Sequence, residues 1–366
     1  MLWQHLRERL GIAETMNSIS SHSTSTLVLS DQLISQIITL KQTTLLVEAA
    51  FAANAMSCAV ALPVVVESLD GFDIHFGVKS GYLRLFDSSL SELPFIKYLS
   101  DEVGDVIGLK AGGYWFRNPA VGLPGHRAAL LLFDPETGNV TALMSANTIT
   151  CLRTAAVGAI AAKYLARQDS HMAGIIGAGE QAHAQLEAVR LSRPISHAYV
   201  WDKRPAAAYA YASTWKKNGM CIEAVPEIRV AVENADVVIT ATPSTEVLVR
   251  SEWVRQGTHV TAVGSDGYGK QELDIRLLQR AKLVVDKVSQ SLEIGELQHA
   301  TRQGLDARKM IHAELGEICA GQKPGRQNDQ EITVFDSSGV SFQDLVVAGY
   351  LVRQAKSKDL GEYVKL

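Results

Sequence analysis

The spacing of apolar residues changes along the chain and divides it into segments with different predicted structure. Across 30–55, apolar residues recur every three or four positions, which predicts one helix. Across 64–144, short apolar runs alternate with turn signals and predict a mainly antiparallel sheet, in which 134–138 (Asp-Pro-Glu-Thr-Gly) forms a hairpin loop. Across 148–165 the helical spacing returns, and this helix leads into the second half of the chain.

The second half alternates between apolar strands and helical segments. The predicted strands lie in five apolar runs, at 173–176, 198–201, 235–243, 258–267 and 282–287. This alternation predicts an α/β protein with a Rossmann-type, doubly wound parallel sheet beside a mixed α+β domain. Ligands of such sheets bind beyond the carboxyl ends of the strands. Four residues at the ends of the third and fourth runs are therefore expected to face a ligand: Thr242, Pro243, Ser265 and Asp266.

The first of these strands runs directly into a glycine turn. Gly177 permits the tight turn, Gly179 lets the backbone approach a pyrophosphate, and Ala182 is small enough for the next helix to pack on the strand. The amino end of that helix offers N–H groups to phosphates. Asp202 ends the following strand, 25 residues after Gly177, where a carboxylate can accept hydrogen bonds from ribose hydroxyls. The pattern predicts a dinucleotide-binding βαβ unit, and an ordinary β-turn-α connection is the alternative.

NAD is the cofactor that this pattern favours. The Asp202 carboxylate would repel a 2′-phosphate, whereas Lys203 and Arg204 weaken that preference and keep NADP as the alternative. Thr242 and Ser244 follow a strand and are expected near the nicotinamide ribose. The full set of predicted cofactor contacts is Gly177, Ala178, Gly179, Glu180, Gln181, Asp202, Lys203, Arg204, Thr242, Pro243, Ser244, Val263 and Ser265.

Length and composition restrict the kind of protein and its partners. The 366 residues are enough for two domains, and 47% hydrophobic with 20% charged residues is typical of a globular protein. The formal net charge of −4 gives no reason to expect nucleic acid or an anionic membrane as a partner. The chain has no apolar run of the ~18 residues that a transmembrane helix needs. The first 26 residues are polar and lack the apolar core of a secretory signal.

The cysteines indicate the cellular compartment, and the C-terminal segment bears on the domain organisation. The four cysteines are scattered without the spacing of a metal site, so we expect no metal and a reducing compartment, the cytoplasm. Beyond residue 320 a loop leads to one strand and a final helix, which should return to the first domain because they cannot bury themselves alone. The predicted units are a flexible extension (1–26), a substrate-binding and dimerisation domain (27–152 with 330–366) and a Rossmann NAD(P)-binding domain (153–329).

Eight blocks of the sequence are shared with a known family. They lie at 108–110, 117–138, 149–166, 174–185, 235–244, 257–274, 313–326 and 333–339. Through these blocks the chain resembles the ornithine cyclodeaminase/μ-crystallin family. The resemblance implies an NAD(P)-dependent homodimer whose first domain builds a sheet across the dimer and supplies substrate contacts. Members act as cyclodeaminases, as ketimine or imine reductases, or as amino-acid dehydrogenases.

Three residues are the candidates for chemistry. The resemblance makes Arg153 the group that holds the substrate α-carboxylate through two parallel hydrogen bonds, with a surface ion pair as the alternative. Lys110 ends an apolar run, where a lysine is usually solvated; the resemblance makes it a contact of the substrate carboxylate and amine, and a dry site would lower its pKa and suit it to proton donation. The resemblance also places Asp266 by the substrate nitrogen as a proton shuttle, with a simple Asp-Gly turn as the alternative.

The roles of three further residues are left open by the sequence. Lys79 lies near the place where the family's cyclodeaminases carry an acidic and a Met-Pro segment that suit a distal ammonium group. A lysine would instead suit an anionic distal group, or have no substrate role. His126 and Arg127 precede a predicted strand and either reach the site or stay at the strand edge.

The favoured function is that of an NAD(P)-dependent oxidoreductase acting on a carbon–nitrogen bond α to a carboxylate, that is, an imine or ketimine reductase or an amino-acid dehydrogenase with a small amino, keto or imino acid as substrate. The absent acid near Lys79 favours net redox over an ornithine- or lysine-type cyclodeaminase, whereas Asp266 argues for the cyclodeaminase. A non-catalytic, crystallin-like NADPH- and ligand-binding protein is the third hypothesis. The joint presence of Lys110, Arg153 and Asp266 argues against it, since a binding protein needs no proton shuttle.

Overall fold

The computed structural model describes residues 25–69, 72–85 and 90–365. Most of the predicted N-terminal extension, residues 1–24, lies outside the described part of the chain. Its last two residues, 25 and 26, belong to the first strand of the fold and not to an extension.

The described residues form eighteen strands, twelve α-helices and three short 3₁₀ turns. The strands are β1 (Ser25–Leu29), β2 (Ala59–Ala61), β3 (Val65–Leu69), β4 (Ile74–Leu83), β5 (Val106–Trp115), β6 (His126–Phe133), β7 (Val140–Ser145), β8 (Met172–Ile176), β9 (His197–Trp201), β10 (Cys221–Ala224), β11 (Val237–Thr240), β12 (Thr245–Val249), β13 (His259–Ala262), β14 (Gln271–Leu273), β15 (Lys282–Val285), β16 (Ile311–Glu314), β17 (Thr333–Asp336) and β18 (Glu362–Lys365). The helices are α1 (Asp31–Ile37), α2 (Leu40–Ala55), α3 (Pro94–Glu102), α4 (Asn147–Leu165), α5 (Glu180–Ser192), α6 (Pro205–Lys217), α7 (Ile228–Glu233), α8 (Ile275–Arg280), α9 (Val288–Glu293), α10 (Gln298–Arg302), α11 (Leu315–Cys319) and α12 (Ser341–Ser357). Within the described segments, no helix combines the length and the apolar character that crossing a bilayer requires.

The first sheet is mainly antiparallel, as the sequence predicts. Its strands lie in the order β18-β1-β7-β6-β5-β4-β2, with β3 paired to β4, and only β1 and β7 run parallel. The predicted hairpin joins β6 and β7, where Gly138 adopts a positive φ of 73°. Helices α2 and α12 cover one face of this sheet and meet through Phe51 and Phe342, whose rings lie edge to face at 5.2 Å.

The helical pattern across 30–55 forms two helices where one was predicted. Thr39 is extended between α1 and α2, and its hydroxyl accepts a hydrogen bond from the backbone N–H of Gln42. Ser30 caps α1 in the same way through the N–H of Leu33. Side chains of this kind compete for backbone N–H groups and begin helices, so the apolar period continues across a break. A further helix, α3, interrupts the strands predicted between 64 and 144.

The second sheet is parallel throughout and confirms the Rossmann prediction. Its eight strands lie in the order β10-β9-β8-β11-β13-β17-β15-β16. Helix α4 enters it from the first sheet, and α5 begins where the glycine turn leaves β8. A separate two-stranded parallel sheet pairs β12 with β14.

The C-terminal segment differs from its predicted location. We expected residues 330–366 to return to the first domain as a whole, but β17 lies inside the parallel sheet, between β13 and β15. All four residues of β17 are buried, and a fully buried strand requires hydrogen-bonding neighbours on both sides. The following α12 packs on the first sheet against β4 and β5, and β18 pairs with β1 at the edge of that sheet. The tail therefore belongs to both units, and the other domain boundaries stay a prediction.

The packing of α12 can be tested with a matched pair of leucines. Leu345 on α12 is fully buried, whereas Leu191 on α5 is 51% exposed. Leu345→Ala should lower the free energy of unfolding by about 2–5 kcal/mol, because it leaves a cavity in the core. Leu191→Ala should change it by about 0.5 kcal/mol or less. Urea denaturation followed by tryptophan fluorescence measures both, and equal losses would contradict the packing described for α12.

Candidate active site

The glycine turn after β8 has the form that a pyrophosphate requires. Gly177 has a φ of 99°, and a Cβ there would meet the carbonyl oxygen of Ala241 at 2.8 Å. Gly179 is the N-cap of α5, has open space around its missing side chain, and leaves the amino end of the helix without a side-chain cap. Glycine is therefore needed at the turn for its conformation and at the cap for access, and the N–H groups of α5 suit a phosphate.

Asp202 lies beside this turn. One of its oxygens accepts a hydrogen bond from Ala178 N at 2.9 Å, and the other accepts from Arg204 N at 2.8 Å. The Arg204 side chain is 75% exposed and pairs with the same carboxylate at 3.3 Å. These contacts hold the carboxylate beside the glycine turn and place an exposed cation next to it.

All predicted cofactor residues lie at the carboxyl ends of four neighbouring strands of the parallel sheet. Those after β8 are Gly177, Ala178, Gly179, Glu180 and Gln181; those after β9 are Asp202, Lys203 and Arg204; those after β11 are Thr242, Pro243 and Ser244; and those after β13 are Val263 and Ser265. The Ser265 hydroxyl donates to the carbonyl oxygen of Lys270 and so holds its own loop. The residues present fit a dinucleotide, because glycine turn, helix end and acid meet at one edge of the sheet.

Glu272 is a buried residue of this site that the sequence analysis missed. Its carboxylate accepts hydrogen bonds from the N–H and hydroxyl of Thr242, both at 2.7 Å, and from Gly264 N at 2.9 Å. Burial raises the pKa of Glu272, and these hydrogen bonds oppose that rise. Glu272 thereby ties the loop after β11 to the loop after β13. The sequence offers no signal for it beyond one acid in a polar segment.

Lys110 and Arg153 meet at a third group, Asp344 on α12. One oxygen, Oδ1, accepts from Lys110 Nζ at 2.9 Å and from Arg153 Nε at 3.2 Å. The three residues are 8%, 6% and 1% exposed, respectively. Lys110 also donates to Thr150 Oγ1 at 3.2 Å, and Arg153 Nη1 donates to Gln343 Oε1 at 3.0 Å. Lys110 lies in the middle of β5 and is buried, which corrects the expectation that it ends its strand. The sequence analysis missed Asp344, whose only signal is that it is an acid in an apolar helix.

The cluster changes the acidity of its members. Burial lowers the pKa of Lys110 to about 7, and Arg153 acts in the same direction while Asp344 opposes it. Burial would raise the pKa of Asp344, but Arg153 and Lys110 outweigh it and keep the carboxyl ionised at neutral pH. Lys110 is thus able to gain or lose a proton near neutrality.

Lys79 lies directly opposite Lys110 on the neighbouring strand β4. Its Nζ donates to the carbonyl oxygens of Ser338 at 2.7 Å and of Gly339 at 2.8 Å. Asp286 holds this loop from behind by accepting from Gly339 N at 2.6 Å. Lys79 therefore joins the first sheet to the loop that follows β17, close to Arg153.

Asp266 lies in the loop after β13 and pairs with Lys270 at 2.5 Å. Burial would raise its pKa, but Lys270, Lys79 and Arg153 outweigh burial and lower the pKa to about 2. Its side chain is 48% exposed, so it stands at the edge of the cluster and not inside it. Asp266 is ionised at neutral pH.

His126 and Arg127 point to opposite faces of the first sheet. His126 shares the inner face with Lys110, and burial together with Lys110 and Arg153 lowers its pKa to about 4. Arg127 lines the outer face near Trp115. Of these two, only His126 lies on the face of the sheet that carries Lys110. Within the described residues, no three or more His, Cys, Asp or Glu side chains are gathered in a way that could hold a metal ion.

The assignment of Asp202 can be tested by cofactor binding. Asp202→Ala should weaken NADH binding more than NADPH binding, because the variant loses a ribose acceptor and also a repulsive charge. Fluorescence titration with both cofactors measures the two dissociation constants. Equal losses for NADH and NADPH would contradict the ribose contact.

The comparisons with known proteins agree with this geometry. The sequence model of the ornithine cyclodeaminase/mu-crystallin family matches residues 84–359. The iminosuccinate reductase of Paracoccus denitrificans is 39% identical over 320 residues, which cover 87% of this chain and 93% of that protein. An archaeal alanine dehydrogenase dimer with bound NAD superposes with a TM-score of 0.83 at 36% identity, over 93% of this chain and 99% of that one. The Δ(1)-pyrroline-2-carboxylate reductase of Thermococcus litoralis, in complex with NADH and L-proline, gives 0.84 at 35% identity, over 93% and 100%.

These relatives are named as reductases or dehydrogenases, and both solved structures hold a nicotinamide cofactor. The chain thus belongs to the ornithine cyclodeaminase/mu-crystallin family, as an NAD(P)-dependent oxidoreductase that acts on a carbon–nitrogen bond α to a carboxylate.

Proposed function

We propose that this protein carries out net reduction of an α-imino acid to the amino acid, and the reverse oxidation, in the cleft between the two sheets. One observation carries the choice of net redox over cyclodeamination. The side chains on the inner face of β4, β5 and β6 near the cluster are cationic or neutral, and no carboxylate is among those described: His75, Lys79, Lys110, Tyr114 and His126. A distal ammonium group of ornithine or lysine would find no acidic partner on these strands.

Arg153 and Lys110 are the groups that would hold the α-carboxylate. Asp344 and Gln343 engage Arg153 Nε and Nη1 and so fix the plane of the guanidinium. Its Nη2 has no partner among the described residues and is left for the substrate. The substrate carboxylate would then meet one guanidinium nitrogen and the Lys110 ammonium, a different arrangement from the two parallel bonds expected from sequence.

The glycine turn, Asp202 and Thr242 would hold the dinucleotide, which when bound supplies or takes up the hydride at the substrate carbon. Lys110 then supplies the proton: its ammonium gives one proton to the amine nitrogen after an iminium has gained the hydride, and becomes neutral. Asp266 carries no proton at neutral pH and serves as the negative charge beside the iminium. In the oxidative direction, neutral Lys110 takes the proton from the ammonium of the amino acid.

The proposal extends to assembly and location. Phe76 and Ile107 lie on the outer face of the first sheet and are 36% and 39% exposed, as expected for an apolar face that another subunit covers. We propose a homodimer through this face, in keeping with the dimer of the archaeal alanine dehydrogenase. Cys151, Cys221 and Cys319 form no disulfide, which suits the cytoplasm that we propose as its location.

The proposed reaction is tested by its stoichiometry. Purified protein with NADH and the imine formed from pyruvate and ammonium, or with a cyclic imine, should consume one NADH for each amino acid produced. Incubation with L-ornithine or L-lysine and catalytic NAD should release no ammonia. Ammonia released without net change in NADH would establish cyclodeamination instead. Tight NADH binding with no turnover of any of these substrates would establish a binding protein.

The role of Lys110 predicts a pH dependence. Its lowered pKa means that the ammonium is the main form below about pH 7 and the neutral amine above it. The kcat for imine reduction should therefore fall as pH rises through about 7, and the kcat for oxidation should rise. Lys110→Arg keeps the charge but cannot give up a proton. Its kcat should drop by about 10²–10⁴, and the change in kcat as pH passes through about 7 should vanish. The same pH dependence of kcat in the variant and the parent protein would exclude Lys110 as the proton donor.

A further inference from the structure

The loop that carries Asp266 joins β13 to β14 and folds back on itself. Gly269 has a φ of 78°, and Lys270 N donates to the carbonyl oxygen of Gly267 at 3.3 Å. A positive φ of this size favours glycine, and the turn that it makes returns the chain to Asp266. The side chains of Asp266 and Lys270, four residues apart, therefore meet as an ion pair at 2.5 Å.

Two side chains of α10 fix the backbone of this loop. Gln298 is 1% exposed, and its Nε2 donates to the carbonyl oxygens of Gly267 and Lys270, both at 3.1 Å. Its Oε1 accepts from Gly269 N at 2.7 Å. His299 Nε2 donates to the same Lys270 carbonyl oxygen at 2.9 Å. The side chain of Lys270 thus extends from a backbone that is held in place.

The side chain of Lys270 faces the first sheet. Burial and the Lys270 charge lower the pKa of His75 on β4, while Asp266 opposes them. Burial would lower the pKa of Lys270 itself, but Asp266 outweighs it and keeps the ammonium charged, and Tyr114 on β5 acts in the same direction. Among the described residues, Asp266 is the one acid within ion-pair distance of Lys270.

Lys270 engages one oxygen of Asp266 and leaves the other open. Oδ1 accepts from Lys270 Nζ, whereas Oδ2 has no hydrogen bond to any described residue. The charges of Lys79 on β4 and Arg153 on α4 act on this carboxylate, and the carboxylate acts on His126 on β6. The open oxygen therefore lies among the groups that would surround the substrate.

We propose that Lys270 is a positioning residue, which holds Oδ1 of Asp266 and thereby directs Oδ2 at the substrate nitrogen as a fixed negative charge. A carboxylate that turns freely about its side-chain bonds would spend part of its time away from the nitrogen. It would then lose part of the stabilisation that an oriented charge gives to the transition state. This inference rests on the proposed function, because that function makes Asp266 the negative charge beside the iminium.

The titration of Asp266 tests the inference without turnover. Burial would raise the pKa of Asp266, but Lys270, Lys79 and Arg153 outweigh it and lower the pKa to about 2. Lys270→Met removes one of these charges and should raise the pKa, whereas Lys270→Arg should keep it low. NMR of protein labelled with carbon-13 at the aspartate carboxyl groups measures the pKa, and Asp266→Asn identifies the signal.

An Asp266 pKa that is the same in Lys270→Met and the parent protein would overturn the inference. Lys270→Gln keeps a hydrogen-bond donor but loses the charge, so it should also raise the pKa. If Lys270→Met does not fold, the pKa measured in Lys270→Gln decides in the same way.

Combined variants separate positioning from a general structural effect. Lys270→Met should lower kcat/KM for imine reduction by about tenfold or more, and Lys270→Arg should restore part of it. Because Lys270 acts through Asp266, adding Lys270→Met to Asp266→Asn should cause no further loss. Losses that multiply in the double variant would overturn the inference. No turnover by the parent protein would contradict the proposed function, and the titration of Asp266 would still decide the role of Lys270.

Lys282→Met is the matched control. Lys282 also pairs with an acid, Glu331, at 2.7 Å, and its side chain is 12% exposed. It begins β15, at the opposite edge of the parallel sheet from the loop after β13. Lys282→Met should change neither the Asp266 pKa nor kcat/KM. A rise in the Asp266 pKa as large as that in Lys270→Met would overturn the specific role of Lys270.

Discussion

One carboxylate oxygen, Oδ1 of Asp344, holds together the lysine and the arginine on which the site depends. Lys110 comes from the first sheet and Arg153 from the helix that enters the parallel sheet, so without Asp344 two cations would lie buried side by side. Leaving a buried charge without its partner costs several kcal/mol. The same oxygen occupies Arg153 Nε, while Gln343 occupies Nη1, and Asp344 opposes the lowering of the Lys110 pKa that burial causes. Structure and chemistry thus depend on a single acid of the last helix.

The local motifs of the site can be predicted from the sequence, whereas contacts between residues far apart in the chain cannot. The glycine turn and Asp202 are local, because strand, turn and acid follow one another within thirty residues. Thr39 could also have been recognised, since a threonine before a helical run is a known cap. Asp344 could not be assigned from its neighbours: its partners are 234 and 191 residues away in the chain. The same holds for Lys79, which looks like a strand lysine until the loop after β17 supplies its acceptors.

The electrostatics of the cleft distinguish Lys110 from Asp266, to which the sequence analysis gave the same candidate role. Lys110 and Asp266 were both candidates for moving a proton, yet one lies in a dry pocket with a competing cation and the other at a partly open edge among several cations. Burial therefore sets the direction of the pKa shift of Lys110, whereas the neighbouring cations set that of Asp266. A fold shared by reductases, dehydrogenases and cyclodeaminases can therefore be directed to one reaction by a few charges on three strands.

The place of β17 in the parallel sheet has a consequence for how the chain acquires its structure. This strand is the last of its sheet to leave the ribosome, yet it occupies an interior position between two strands made far earlier. The parallel sheet therefore stays incomplete until β17 has been made, and β13 and β15 lack a shared hydrogen-bonding neighbour until then. Such long-range closure slows folding, because the chain between β13 and β17 must be ordered before their pairing contributes to stability.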